Sequence, residues 1–184
     1  MKNETNAFHH PTALTFIFVL VVAVFGCNNP SAEKRNGLAE NDSSKVAAML
    51  DSFNIAAATA DFNTYFNFYT DDATFIGTDA TERWNKTQFM AYAKPHFDKG
   101  KAWNFTSLER HIYFDKTGNL AWFDELLNTQ MKICRGSGIV IKQGADWKVQ
   151  QYVLSMTIPN RQLDSIVKIK SIIEERTIQE LSKK

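Results

Sequence analysis

The stretch Ile133–Val149 reads ICRGSGIVIKQGADWKV. Its glycines and serine could belong to a phosphate loop, a nucleophile elbow or a β-strand, and the choice among these three determines the fold class. A nucleophile elbow needs Gly-x-Ser-x-Gly before a helix. A phosphate loop needs Gly-x-x-x-x-Gly-Lys-[Ser/Thr], or Gly-x-Gly-x-x-Gly opening a helix. The triplet Gly136–Gly138 has neither spacing, and the β-branched run Ile139–Ile141 follows it. β-Branched residues favour extended backbone, so a strand is predicted.

Side chains alternate between the two faces of a strand, and in this strand the glycines and the larger side chains fall on opposite faces. Odd-numbered residues from Arg135 to Ile141 share one face, whereas Gly136 and Gly138 lie on the other. Glycines inside a strand usually mark a bulge, a bend or a close approach of another chain segment. A strongly bent strand is therefore predicted.

Helical patterns precede this strand. A helix is predicted from Ser44, with an apolar stripe at helical spacing. The stripe comprises Val46, Met49, Leu50, Phe53 and Ala57. Asp61 is expected to cap a short second helix that ends at Asp71. Asn85 and Gln88 form a capping-box pattern for a third helix, which Pro95 should kink and Gly100 should end.

Extended runs make up most of the remaining chain. Two short strands are predicted at 73–76 and 81–84, and four long ones at 102–114, 120–129, 133–142 and 147–158. Short connections between the long strands predict antiparallel neighbours. Residues 161–181 then have a helical pattern.

The N-terminus predicts export. Residues 13–26 form an uncharged apolar run, shorter than the ~20 residues of a comfortable membrane span. This run suits the apolar region of a signal peptide, and it ends at Val24–Cys27, which resembles a bacterial lipobox. We expect a signal peptide at 1–26, lipid on Cys27, a flexible tether over 27–43 and a place in the bacterial cell envelope. The alternatives are an ordinary signal peptide or a short anchor helix.

Composition excludes several function classes. The formal net charge of +1 gives no electrostatic footprint for nucleic acid. With Cys27 lipidated, Cys134 has no disulfide partner, and a buried inert thiol is expected there. The histidines show no pair with metal-ligand spacing, so neither a metal nor a cofactor is predicted.

Three segments together resemble a known family. They are FYTDDATFIG at 68–77, GSGIVIK at 136–142 and DWKVQQYVLS at 146–155. Their order and spacing resemble the SnoaL-like group of the nuclear transport factor 2-like superfamily over residues 44–159. The resemblance implies an α+β cone-like fold, also described as cystatin-like. In this fold a strongly curved antiparallel sheet wraps N-terminal helices around a deep pocket, and residues 160–184 would form an added C-terminal helix.

The resemblance leaves the activity open, because related domains include isomerases, hydrolases, cyclases, dehydratases and binding domains. In many relatives a histidine precedes the final serine of the closing strand. Gln151 and Val153 occupy those places here. Histidine-based roles are therefore not carried over.

One strand carries the predicted general base. Trp122 and Asp124 share a face of the strand at 120–129, and Arg135 lies on the adjacent strand. A carboxylate buried between aromatic side chains has a raised pKa, which suits base chemistry. Asp124 is therefore the candidate base and Arg135 its partner. The alternative is a structural ion pair or a solvated sheet face.

The predicted ligand-binding residues come from several elements. They are Tyr69, Trp84, His96, Trp122, Gln151 and Ser155. Core packing is the alternative for the aromatic members, and a surface-facing strand is the alternative for Gln151 and Ser155.

These observations predict an envelope-anchored domain that binds a small, partly apolar molecule. One alternative is a lyase or isomerase with Asp124 as base. Another is a homodimeric assembly module that pairs through its open sheet. An apolar outer sheet face would favour assembly, whereas a closed pocket around Asp124 would favour catalysis.

Overall fold

The computed structural model describes residues 30–183, with side chains from Asp42 onward. The helices are α1 (Pro30–Ala58), α2 (Phe62–Asn67), α3 (Lys86–Asp98) and α4 (Leu163–Leu181), the last preceded by a 3-10 turn at Asn160–Gln162. The strands are β1 (Tyr69–Ile76), β2 (Arg83–Asn85), β3 (Thr106–Phe114), β4 (Leu120–Thr129), β5 (Lys132–Gln143) and β6 (Asp146–Met156).

The strands form one curved sheet in the order β2-β1-β6-β5-β4-β3. The four long strands, β3 to β6, pair antiparallel in chain order, which confirms the predicted meander. β1 pairs parallel with β6, so the first hairpin extends the sheet at its far edge. The predicted α+β cone-like fold class is confirmed.

Local signals place the helices that fill the cone. Val46, Leu50 and Phe53 on α1 are buried, as the helical period predicts. The Asp61 carboxylate accepts a hydrogen bond from the Thr64 backbone N–H at 3.0 Å and caps α2. The capping box of α3 is present between Asn85 and Gln88. The starts of α2 and α3 therefore follow from side chains that satisfy otherwise free backbone donors.

Two predicted boundaries are wrong. α1 begins at Pro30, so most of the predicted tether is helical; proline suits the first helical position, and the residues after it are rich in helix formers. α2 ends at Asn67, and Tyr69 begins β1 instead of continuing the helix. Pairing of Tyr69 with Val149 of β6 overrides the local helical pattern.

The glycines of β5 allow close approach, as predicted. A Cβ on Gly136 would lie 2.5 Å from the Tyr152 hydroxyl oxygen and 3.1 Å from Glu125 side-chain atoms. A Cβ on Gly138 would lie 2.2 Å from the Gln151 carbonyl oxygen. The β5–β6 register also shifts between Ile139 and Val140, which marks a bulge. The glycine-containing part of the opening stretch is thus a strand thinned for its neighbours, and it lies opposite a bulge in β6.

The space beside these glycines holds a buried ion pair. Glu125 is 1% exposed, and its Oε2 accepts from Arg110 Nε at 2.9 Å and lies 2.8 Å from Nη2. The Tyr152 hydroxyl donates to Oε1 at 3.1 Å. Arg110 Nη1 in turn donates to the Ala47 carbonyl at 3.1 Å and to Asp51 Oδ1 at 2.9 Å. One carboxylate therefore connects β3, β4 and β6 with α1.

Burial and ion pairing have opposite effects on the pKa of the Glu125 carboxyl group. Loss of hydration raises the pKa of its carboxyl group, while Arg110 and the Tyr152 hydroxyl lower it. Burial also raises the pKa of Tyr152, so this phenol stays protonated and can donate. The network is therefore satisfied only when all its members are present.

We expect Glu125→Ala to lower the free energy of unfolding by ~3–5 kcal/mol, because it leaves the Arg110 guanidinium beside an empty, buried space. Asp124→Ala is the matched control on the next residue of the same strand. Its carboxylate is 37% exposed, so its loss should cost under ~1 kcal/mol. Urea unfolding measures both. A larger loss for Asp124→Ala would contradict this orientation of β4.

Candidate functional site

Asp124 lies on the outer face of the sheet and not inside the cone. Its Oδ1 is 3.5 Å from Arg135 Nη1 and 3.4 Å from His111 Nδ1, so the predicted pair forms in a solvated setting. Trp122 on the same face is 45% exposed and stacks on Tyr113 with ring centroids 5.8 Å apart. The prediction of Asp124, Arg135 and Trp122 as pocket residues is wrong, because the buried face of β4 is the other one.

The bulge moves two further predicted residues out of the pocket. Ile139 pairs with Gln151 and Val140 with Val149, so Gln150 is the extra residue on β6. After it, Tyr152 and Leu154 point inward, and Ser155 is exposed on the outer face with Gln151. The signal is visible in the sequence. Apolar residues at 147 and 149, and then at 152 and 154, leave two glutamines where the alternation breaks.

The predicted ligand-binding residues Tyr69, His96 and Trp84 lie in three different environments. Tyr69 is 3% exposed and belongs to the core, with its hydroxyl 3.2 Å from that of Tyr65. His96 is exposed on α3 and does not line the pocket itself, and its ring lies 5.5 Å from that of Tyr92, which does. Trp84 alone among the predicted ligand-binding residues lines a cleft.

This cleft, which we call the mouth cleft, lies between the β1–β2 hairpin, α3 and the β4–β5 turn. Its volume is about 160 Å³. Its aromatic lining residues are Phe75, Trp84, Phe89, Tyr92, Trp103 and Phe105. The others are Gly77, Thr78, Glu82, Gln130, Met131 and Leu154.

The aromatic rings of the mouth cleft are nearly parallel. Phe75 and Phe89 stack with centroids 3.9 Å apart and an angle of 11°. Trp84 lies 4.5 Å from Tyr92, and its plane is within 6° of that of Phe89. Tyr92 is 45% exposed, so this aligned set reaches the surface. It forms an apolar wall of aligned rings on one side of the cleft.

Below the cleft, side chains fill the cone. The Trp103 Nε1–H donates to the Tyr65 hydroxyl at 3.3 Å, and Phe75 lies parallel to Tyr152 with centroids 6.0 Å apart. Glu125 and Tyr152 do not line the cleft. The deep pocket that the resemblance implies is therefore a shallow one.

The chemistry available in the mouth cleft is limited. Among the described residues that line it, none is a histidine, cysteine or serine, and the ionisable and hydroxyl groups there are those of Thr78, Glu82 and Tyr92. Within residues 30–183 no three or more His, Cys, Asp or Glu side chains converge as metal ligands. The same part of the chain contains no helix long and apolar enough to cross a membrane.

Solved structures with the same fold support the architecture. A protein of unknown function from Pseudomonas putida KT2440 is described as NTF2-like, that is, nuclear transport factor 2-like. It has a TM-score of 0.57 and 15% identity, over 66% of this chain and 90% of that one. A proposed dehydratase of the same family from Streptomyces avermitilis has a TM-score of 0.57 and 12% identity, over 65% and 99%. A cystatin-like domain of unknown function from Nostoc punctiforme gives 0.56 and 15%, over 77% and 94%.

At these identities the likeness concerns the fold alone. A search among curated proteins gives no significant match. The family model for the SnoaL-like domain matches residues 46–159, more than half of the chain. These are the residues from the first buried position of α1 to the end of the sheet. The chain belongs to the SnoaL-like domain family, and its fold is similar to that of NTF2-like structures.

Proposed function

We propose that this domain binds a small, partly apolar molecule in the mouth cleft. The observation that carries the proposal is the set of six aromatic residues around a space of about 160 Å³. Apolar cavities of ~150 Å³ hold a molecule the size of benzene, so the ligand portion inside the cleft is about one ring in size. Concave sites with mostly apolar walls and a few polar groups are typical of small-molecule binding.

The positions of two carboxylates, those of Asp124 and Glu125, favour ligand binding over lyase or isomerase chemistry. Asp124 faces solvent on the outer sheet, where it has no contact with the mouth cleft. Glu125, which has the raised pKa expected of a base, is held by Arg110 and Tyr152 and is 1% exposed. A general base must be within hydrogen-bond reach of its substrate. Neither of these two carboxylates meets that condition for a molecule in the cleft, whose described lining contains one carboxylate, that of Glu82.

We expect Trp84→Ala to weaken the binding of small neutral probes about fivefold, since a ring–ring contact contributes ~0.5–1.5 kcal/mol. Benzyl alcohol and 3,3-dimethylbutan-1-ol are suitable probes, measured by ligand-observed NMR. His96→Ala is the matched control, because it removes an exposed ring of α3 outside the cleft lining. Equal weakening by both variants, or none by Trp84→Ala, would refute the cleft as the site.

We also propose that the domain is lipid-anchored in the bacterial cell envelope. Cys27 and the signal peptide lie outside the described residues, so the support is the apolar run 13–26 and the lipobox-like Val24–Cys27. Export with lipid attachment explains both a short apolar segment and the cysteine at its end.

Growth with a radioactive fatty acid tests the anchor. We expect label on the wild-type chain and none on Cys27→Ser, because the thioether requires that thiol. Cys134→Ser removes the other cysteine, which is buried in β5, and should remain labelled. Label on Cys27→Ser equal to that of the wild type would end the lipoprotein proposal.

A second candidate function is homodimeric assembly through the outer sheet face. Tyr113 and Trp122 are 47% and 45% exposed there, and β4–β5 pairing places Ile139 beside Trp122. α4 has no buried residue, so its isoleucines also lack a cover within the described chain. Apolar patches of this kind mark association surfaces.

We expect Trp122→Glu to shift the chain from dimer to monomer in sedimentation equilibrium, because a charge would be buried at the pairing surface. Tyr92→Glu is the matched control. It introduces the same charge at an aromatic residue of equal 45% exposure, but in the mouth cleft. A monomeric wild type would refute assembly by this face.

A further inference from the structure

We propose that the mouth cleft selects a small organic cation, an amine or quaternary ammonium group with an apolar body. This inference rests on the proposed binding function of the cleft and specifies the class of its ligand. It depends on the charge of the lining, the position of one carboxylate and the rings around it.

The described lining of the cleft contains one charged side chain, and it is negative. Glu82 carries a carboxylate, and no lysine, arginine or histidine is among the described residues that line the cleft. Arg83 follows Glu82 in the chain but is exposed outside this lining. An anionic ligand would therefore meet repulsion without a compensating cation, whereas a cation would gain an attraction.

The Glu82 carboxylate is held in place without being neutralised. Its Oε2 accepts a hydrogen bond from the Asp79 backbone N–H at 3.2 Å. Among the described residues it forms no ion pair within 4.0 Å. A Cβ on Gly77 would lie 2.1 Å from Oε2, so glycine at this position allows the carboxylate to fold over the turn. The carboxylate keeps free acceptor capacity for a ligand.

The aromatic lining provides the second part of a cation site. Tryptophan and tyrosine rings attract a cation placed over their faces within ~6 Å, and tryptophan does so most strongly. Trp84, Tyr92 and Trp103 are partly exposed residues of the cleft. Aromatic rings with an adjacent carboxylate favour groups such as trimethylammonium, which combine positive charge with apolar methyl groups.

Size supports the same class. A space of about 160 Å³ admits a trimethylammonium group with a short chain. A purely apolar ligand of that size would use the rings but leave the carboxylate without a partner. Burying a charge without a partner is unfavourable, so a cationic ligand fits the whole lining better than a neutral one.

The test compares choline with 3,3-dimethylbutan-1-ol, which has the same shape but a carbon atom in place of the charged nitrogen. Both are titrated against the full chain carrying Cys27→Ser, with binding followed by ligand-observed NMR. We expect choline to bind ~tenfold more tightly, and we expect added salt to weaken choline alone.

Variants separate charge from shape. Glu82→Gln should weaken choline about tenfold and leave the neutral alcohol unchanged, whereas Trp84→Ala should weaken both. Glu109→Gln is the matched control, since that carboxylate lies on exposed β3 beside His111, 3.2 Å from its Nε2. It should change neither affinity.

The outcomes distinguish the two proposals. Equal binding of choline and the alcohol, or a Glu82→Gln variant that keeps the preference for choline, overturns the cation inference and leaves the cleft as a binding site. Failure of both probes to bind the cleft overturns the proposed binding function as well.

Discussion

The ion pair between Glu125 and Arg110 constrains the rest of the domain. An unpaired charge at this depth costs several kcal/mol, so β3 and β4 must bring these residues directly opposite each other, as their register does. A one-residue slip of either strand would turn its member of the pair to the solvent face and separate the two charges. The pair also needs space, which Gly136 provides by leaving room for the Tyr152 hydroxyl. The position of β6 and the glycine of β5 therefore follow from one buried carboxylate.

The same network explains why the accessible site lies at the mouth. Tyr152 extends from the pair toward Phe75, with nearly parallel rings, and Phe75 stacks on Phe89 of α3. This continuous packing closes the interior around Glu125, and the mouth cleft lies where the rings reach the β1–β2 hairpin. A closed interior keeps Glu125 from acting on a ligand, whatever its pKa. Packing, more than the identity of the acidic residue, therefore favours binding over base chemistry.

The sequence predicted what depends on local chemistry. The Asn85 capping box, the antiparallel meander and the family resemblance all rest on residues close in the chain, and the structure agrees with them. The location of the site depends on which face of each strand is buried, and the two-residue alternation of side chains does not determine that. Alternation divides β4 into two faces but does not say which is buried, and Trp122 was a misleading marker since large aromatics also occur on surfaces. The local pattern places Tyr69 in a helix because its strand partner, Val149, lies far away in the sequence.

The ionic network and the mouth cleft are built by largely separate residues. The network lies on β3, β4, β6 and α1, whereas the cleft takes Glu82 and Trp84 from the β1–β2 hairpin and Gln130 from the β4–β5 turn. Substitutions in the hairpin and the turn leave the buried charge paired, so they change the lining without breaking the ionic network. A domain arranged in this way can acquire a new ligand by altering a few residues at its rim. That separation gives a physical reason why one fold supports many different activities.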